Sequence, residues 1–140
     1  MKVLSLLQPW ATLVVIGAKK IETRSWRTGY RGSLLIHASM GKGGGLLAAE
    51  EPFSFYIKKF DALPFGCIIG MVTLVDVVPV EHLNMAEGVI NKLTLEERAF
   101  GNYDKGRYAW LLDDAVKFNK PIPARGHLNL WNYDIDVDTK

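Results

Sequence analysis

Most of the side chains able to do chemistry lie in one short stretch. From Gly17 to Gly32 the chain reads GAKKIETRSWRTGYRG, which sets five cations (Lys19, Lys20, Arg24, Arg27 and Arg31) around a single carboxylate, Glu22. If Ile21 to Trp26 is extended, alternation projects Glu22, Arg24 and Trp26 from one face and Ile21, Thr23 and Ser25 from the other. A carboxylate beside a guanidinium ordinarily means mutual neutralisation, but one glutamate cannot neutralise five cations. The rings of Trp26 and Tyr30 are interleaved with those cations, the mix with which single-stranded nucleic-acid binders hold phosphate and stack bases. On this reading Lys19 and Arg24 contact phosphate or base edges, and Glu22 bonds a base amino group or orients the cations. Trp26 or Tyr30 stacks, and Arg27 and Arg31 line the rim.

The same residues allow a second chemistry. A lysine amine is a base at neutral pH only where burial or neighbouring cations depress its ordinary value of about 10.4. Lys20, Arg24 and Arg27 supply such neighbours, and Glu22 opposes them. A charged Lys19 paired with Glu22 favours ligand binding. A neutral Lys19 would favour base or nucleophile chemistry, with Glu22 as the neighbouring carboxylate.

Other candidates carry weaker signals. His37 alternates with Leu35 and Ser39 on a strand-like run, as a structural histidine or a site residue. Gly41 to Gly45, with Lys42, lacks the spacing of a phosphate-binding P-loop and reads as a mobile surface loop beginning at Met40. Cys67 opens an apolar run, as a buried thiol does, and a lone cysteine makes no internal disulfide. Trp110 and Trp131 read as core, whereas Gln8 and Trp10 stand where a helix start would form one lip of a cleft. Asp134, Asp136 and Asp138 lack the glycine and terminal glutamate of a calcium loop. No metal site or cofactor is expected.

These groups need a scaffold. With 140 residues, 49% hydrophobic and 23% charged, the chain is expected to fold as one domain over residues 1–140. Residues 1–45 carry seven basic side chains against Glu22, whereas the remainder carries ten basic and fourteen acidic ones; the total of +2 therefore hides a basic N-terminal third that attracts phosphate. Strand-like runs occur at Val3–Leu7, Ile21–Trp26, Ser33–Ala38, Cys67–Val78, Arg107–Leu112 and Gly126–Tyr133, implying a closed or nearly closed sheet. Helices are expected from Pro9 to Ile16 with Gly17 as the stop, within Leu46–Phe60 with a break near Pro52, and from a Thr94/Glu97 capping box to Gly101. With neither a secretory leader nor an apolar run long enough to span a bilayer, the chain is expected to be soluble and cytoplasmic and to engage no membrane.

The string Gly17-x-Lys19-x-x-Glu22-x-Arg24 resembles the GxKxxExR signature of ASCH (ASC-1 homology) domains. Leu4-Ser-Leu-x-Gln8-Pro9-Trp10-Ala11, Arg24-Ser-Trp26-Arg27, Tyr30-Arg31-Gly32, Ile36-His37-Ala38, Gly70-x-Val72-x-Leu74-x-Asp76, Tyr108-Ala-Trp110-x-Leu112 and Pro121-Ile-Pro-x-x-Gly126-x-Leu128-x-Leu130-Trp131 extend the resemblance over nearly the whole chain. It implies a mixed β fold with peripheral helices: a small PUA-like barrel of about six strands with two or three short helices. It also implies a cleft lined by the signature residues, with RNA, other single-stranded nucleic acid or a modified nucleoside as partner. Some ASCH proteins hydrolyse the amide of N4-acetylcytidine, and ribonuclease activity is attributed to others. The amidohydrolases pair the signature lysine with a threonine three residues later and a later glutamate. Glu22 stands in the threonine position here, Thr23 would point away, and Asp76 or Glu81 is the nearest counterpart to the later carboxylate.

Overall fold

A computed structural model describes residues 1–85 and 93–134. Within them, β1 (Lys2–Leu6), β2 (Ile21–Arg24), β3 (Gly32–Ala38), β4 (Cys67–Pro79), β5 (Tyr108–Pro123) and β6 (Leu130–Asn132) form one curled sheet of order β2-β5-β4-β3-β1-β6. Only β1 and β3 pair in parallel; every other neighbour is antiparallel. The architecture is the half-barrel expected of a small PUA-like fold. Its two edge strands are β2 and β6, so the signature residues occupy a sheet edge.

The central strands read as continuous apolar runs because both of their faces are covered. Leu4, Leu34, Ile36, Val72, Leu74, Trp110 and Leu112 pack on one side with α1 (Trp10–Val15), while Val3, Leu35, Ile68 and Phe118 form a cluster of their own. Gln8 braces α1 from below: its Oε1 accepts from the Thr12 amide at 2.9 Å, and its Nε2 donates to the Pro64 carbonyl at 2.9 Å. Gln8 is thus wholly buried, a helix support rather than a lip of a cleft.

Three sequence expectations need correction. First, β5 does not end at Leu112. It continues through Asp113 and Asp114 to Pro123, passing a bulge where Asp114 has φ +53°, so the polar residues after Leu112 belong to the same bent strand. Second, the helix sought in Leu46–Phe60 is a single turn, α2 (Gly45–Ala48), followed by 3-10 turns at Phe53–Phe55 and Phe60–Ala62. Third, the glycine run is not simply a solvated loop. A Cβ on Gly44 would lie 2.3 Å from the Gln8 carbonyl oxygen, so only a glycine lets this backbone reach the start of α1. The capping box does start α3 (Leu95–Phe100), with Thr94 Oγ1 accepting from the Glu97 amide at 3.1 Å. Asp136 and Asp138 lie outside the described residues.

Trp110 ties the edge strand to this core. It is fully buried opposite Glu22 in the β2–β5 register, donates from Nε1 to the Trp26 carbonyl at 3.3 Å, and meets the Trp26 ring edge-on at 4.8 Å. Trp110→Ala is expected to cost about 3–5 kcal/mol, the usual range for deleting a buried large aromatic, read as a lower urea midpoint. Trp110→Phe should retain most of that stability.

Candidate functional site

The signature converges because the turn after α1 feeds straight into β2. Gly17, with φ +81°, ends the helix, and the next residues turn inward. Lys19 is 1% exposed. Its ammonium donates to the Ile21 carbonyl and lies 3.6 Å from Glu22 Oε1. Glu22 Oε2 is 3.7 Å from Arg24 Nη1, so the carboxylate sits between a sealed cation and a partly exposed one. Expecting only one face of β2 to be buried was too simple: Ile21, Glu22 and Thr23 are all buried.

A second carboxylate reaches the same place from the far side of the chain. Glu97 does not fold back to complete its capping box. Its Oε2 accepts from the Lys20 amide at 2.5 Å, while Oε1 is buried without a hydrogen-bond partner. Burial pushes the Glu97 carboxyl above its ordinary value; the Lys20 amide, the Lys19 ammonium and the Ile21 amide pull it back only in part. The buried Tyr103 phenol is pushed up by burial and then by the charges of Glu97 and Glu22. The carboxylates offered by sequence as the later acid are elsewhere: Asp76 pairs with Arg31 at 3.0 Å, and Glu81 accepts from the Gly106 amide at 2.9 Å. Glu97 is the site residue that sequence reasoning missed, although its place in the capping motif marks it as a carboxylate at the start of a helix.

Above this cluster opens a cleft of about 360 Å³, floored by Glu22, Thr23 and Arg24, within the range of roughly 300–1,000 Å³ for small-molecule sites. Leu6, Leu7, Trp10 and Leu47 line it together with Ala99 to Asn102 and Arg107. Trp10 Nε1 donates to the Phe100 carbonyl at 2.7 Å, tying these two segments together. Arg107 is held by the Thr23 carbonyl at 2.9 Å and the Asn102 carbonyl at 3.2 Å. Lys19 lies just behind the lining. A Cβ on the cleft-lining Gly101 would sit 3.5 Å from Lys19 Nζ and 3.1 Å from the Tyr103 ring.

The other sequence candidates divide by position. Arg24 lines the cleft, and its guanidinium lies 6.0 Å from the Trp26 ring centroid. Trp26 and Tyr30 pack against the core, and neither lines this cleft. Arg27 lies 5.9 Å from the Tyr108 ring centroid. Arg31 donates to the Thr28 and Tyr30 carbonyls as well as to Asp76. His37 is buried in a second, neighbouring cleft. Its Nε2 lies 2.7 Å from the Ala124 carbonyl and its Nδ1 3.1 Å from Ser5 Oγ, and burial is the main cause lowering its pKa. Among the described residues no three metal-ligating side chains cluster, and no helix is long and apolar enough to cross a membrane.

A family model for the ASCH domain matches residues 4–122. The chain is 37% identical over 79 residues to human (Homo sapiens) activating signal cointegrator 1, and 39% identical over 80 residues to the mouse (Mus musculus) protein of that name. Each match covers 52% of this chain but 14% of the relative, so the chain corresponds to a small part of those proteins. The crystal structure of ASCH from Zymomonas mobilis aligns with a TM-score of 0.50 at 21% identity, covering 87% of this chain and 72% of that one, which is a likeness of fold.

The raised pKa of Glu97 has a checkable sign. A carboxyl raised on folding contributes stability below its unfolded value, ordinarily 4.5, and loses it as pH climbs through the raised value. Glu97→Gln should therefore gain stability relative to the parent as pH rises from about 4 to about 8, followed by urea midpoints at each pH.

Proposed function

The chain belongs to the ASCH domain family, one associated with RNA binding, and we propose that it binds RNA by seating one nucleotide in the cleft above Glu22 and Arg24. The observation that carries this reading is the cleft's division of labour: a carboxylate and a guanidinium on its floor, an indole and apolar side chains on its wall. Glu22 accepts from a base amino group and Arg24 bonds a base edge or phosphate, each a charge-assisted contact. Stacking falls to Trp10, which lines the cleft, rather than to Trp26 or Tyr30. Lys19 acts from behind, its ammonium 3.6 Å from Glu22 Oε1 keeping that side chain aimed. Arg27, beside the Tyr108 ring, adds to the positive potential that strengthens association with a polyanion.

Hydrolysis is a second reading, favoured by one observation: a carboxyl raised by burial, Glu97, beside Lys19 beneath the cleft. It assigns Lys19 and Glu22 to catalysis with Glu97 as a proton carrier. The substrate would be an N4-acylcytidine or single-stranded RNA, and product release that disappears in Glu97→Gln would mark it.

Arg24 offers the cleanest test of binding, because removing Lys19 would leave buried carboxylates unpaired. Arg24→Ala should weaken single-stranded RNA binding about tenfold or more, the worth of one charge-assisted hydrogen bond. Its melting temperature should hardly move, since a partly exposed ion pair contributes about 1 kcal/mol at most. Unchanged RNA affinity with a lowered melting temperature would instead make the Glu22–Arg24 pair a brace.

A further inference from the structure

Arg24 lines two clefts. The second, of about 460 Å³, is bounded by Arg24, Ser5, Ser39 and the segment from Ala124 to Asn129. Ser5 and Leu6, consecutive in β1, project to opposite faces of that strand and line the second and the first cleft respectively, so the two hollows meet at the shared Arg24 side chain. Their charges differ. The first holds Glu22 against Arg24 and Arg107; among the described residues the lining of the second contains Arg24 and Arg125, the imidazoles of His37 and His127, and no carboxylate.

The second cleft is also built. Trp131 Nε1 donates to Ser5 Oγ at 3.0 Å, Ser5 Oγ meets His37 Nδ1 at 3.1 Å, and His37 Nε2 meets the Ala124 carbonyl at 2.7 Å. The carbonyl can only accept, so Nε2 carries the proton, Nδ1 accepts, and the Ser5 hydroxyl donates to it. This chain of bonds fastens the segment holding Arg125 and His127 to the sheet. It leaves those two exposed side chains to face whatever enters. His127 also rests edge-on against Trp131 at 5.0 Å.

We propose that this second cleft receives the phosphodiester joined to the nucleotide in the first, so that the protein takes a single-stranded oligonucleotide rather than a free nucleoside. The inference rests on the binding reading above and adds to it a site and a minimum ligand. Arg125 neutralises the phosphate, His127 offers it a ring N–H, the Ser39 hydroxyl lies within the same lining, and Arg24, with five donors in a fixed fork, serves base and backbone together. The chemistry required is a phosphodiester, which RNA and DNA share.

The test compares cytidine, followed by NMR shifts of residues lining the first cleft, with fluorescein-labelled RNA and DNA hexamers followed by anisotropy at several salt concentrations. The parent protein should bind a hexamer at least tenfold more tightly than cytidine. The exposed pair Arg125→Ala/His127→Ala should remove most of that advantage and leave cytidine binding within twofold. The slope of log affinity against log salt should fall by about 0.7 for each phosphate that is no longer neutralised. Binding of both hexamers makes the shared backbone the ligand; binding of RNA alone adds the 2′-hydroxyl, and either supports the site. Hexamer affinity and salt slope unchanged in a double variant of native circular dichroism would overturn it. Equal binding of a labelled oligoglutamate, abolished in the same variant, would replace it with an acidic-peptide site. The parent reading fails separately, if Arg24→Ala alters neither cytidine nor hexamer binding.

Discussion

An ammonium buried almost completely governs this structure. Removing a lysine from water is costly unless partners replace the lost hydration, and Lys19 finds them in the Ile21 carbonyl, Glu22 and the nearby charge of Glu97. Two of these partners come from β2 and the third from the first turn of α3. The arrangement therefore couples elements distant in sequence. α3 cannot leave the sheet without stranding charge, and β2 cannot slip in register without moving Glu22 off both cations. An edge strand of four residues gains in this way an anchor that backbone pairing alone does not provide.

The site's location follows from incomplete closure. With β2 and β6 at opposite ends of the strand order, the groove beside β1 and β2 is where the sheet fails to seal, and side chains from both border it. In a closed barrel those positions would be core. The unsealed side supplies concavity, while the packed strands on the other side supply rigidity. Trp10 reaching the Phe100 carbonyl links the two rims, so the width of the mouth depends on contacts outside the sheet.

Much of this was legible in the chain. Strand positions followed from short β-like runs with turn residues between them, alternation put Glu22 and Arg24 on one face, and the resemblance to the family signature added Lys19 to them. What escaped was tertiary. Glu97 satisfied a local capping rule so well that its side chain had no apparent need of another partner, yet the Lys20 amide outcompeted the local one. Trp26 alternated toward the signature face, but Trp110 opposite offered an edge-on aromatic contact and took it into the core margin. The polar half of β5 fell outside the expected strand because both its faces are wet in part, a pattern that period-two reasoning does not register.

Arg24 borders two hollows at once, and a shared guanidinium makes them thermodynamically linked. Whatever fixes its rotamer in one lowers or raises the entropy that an occupant of the other must overcome. Occupants tethered to each other would find the side chain already ordered and bind with positive cooperativity. Untethered ones, each demanding a different orientation of the same fork, would antagonise one another across a boundary only one side chain thick.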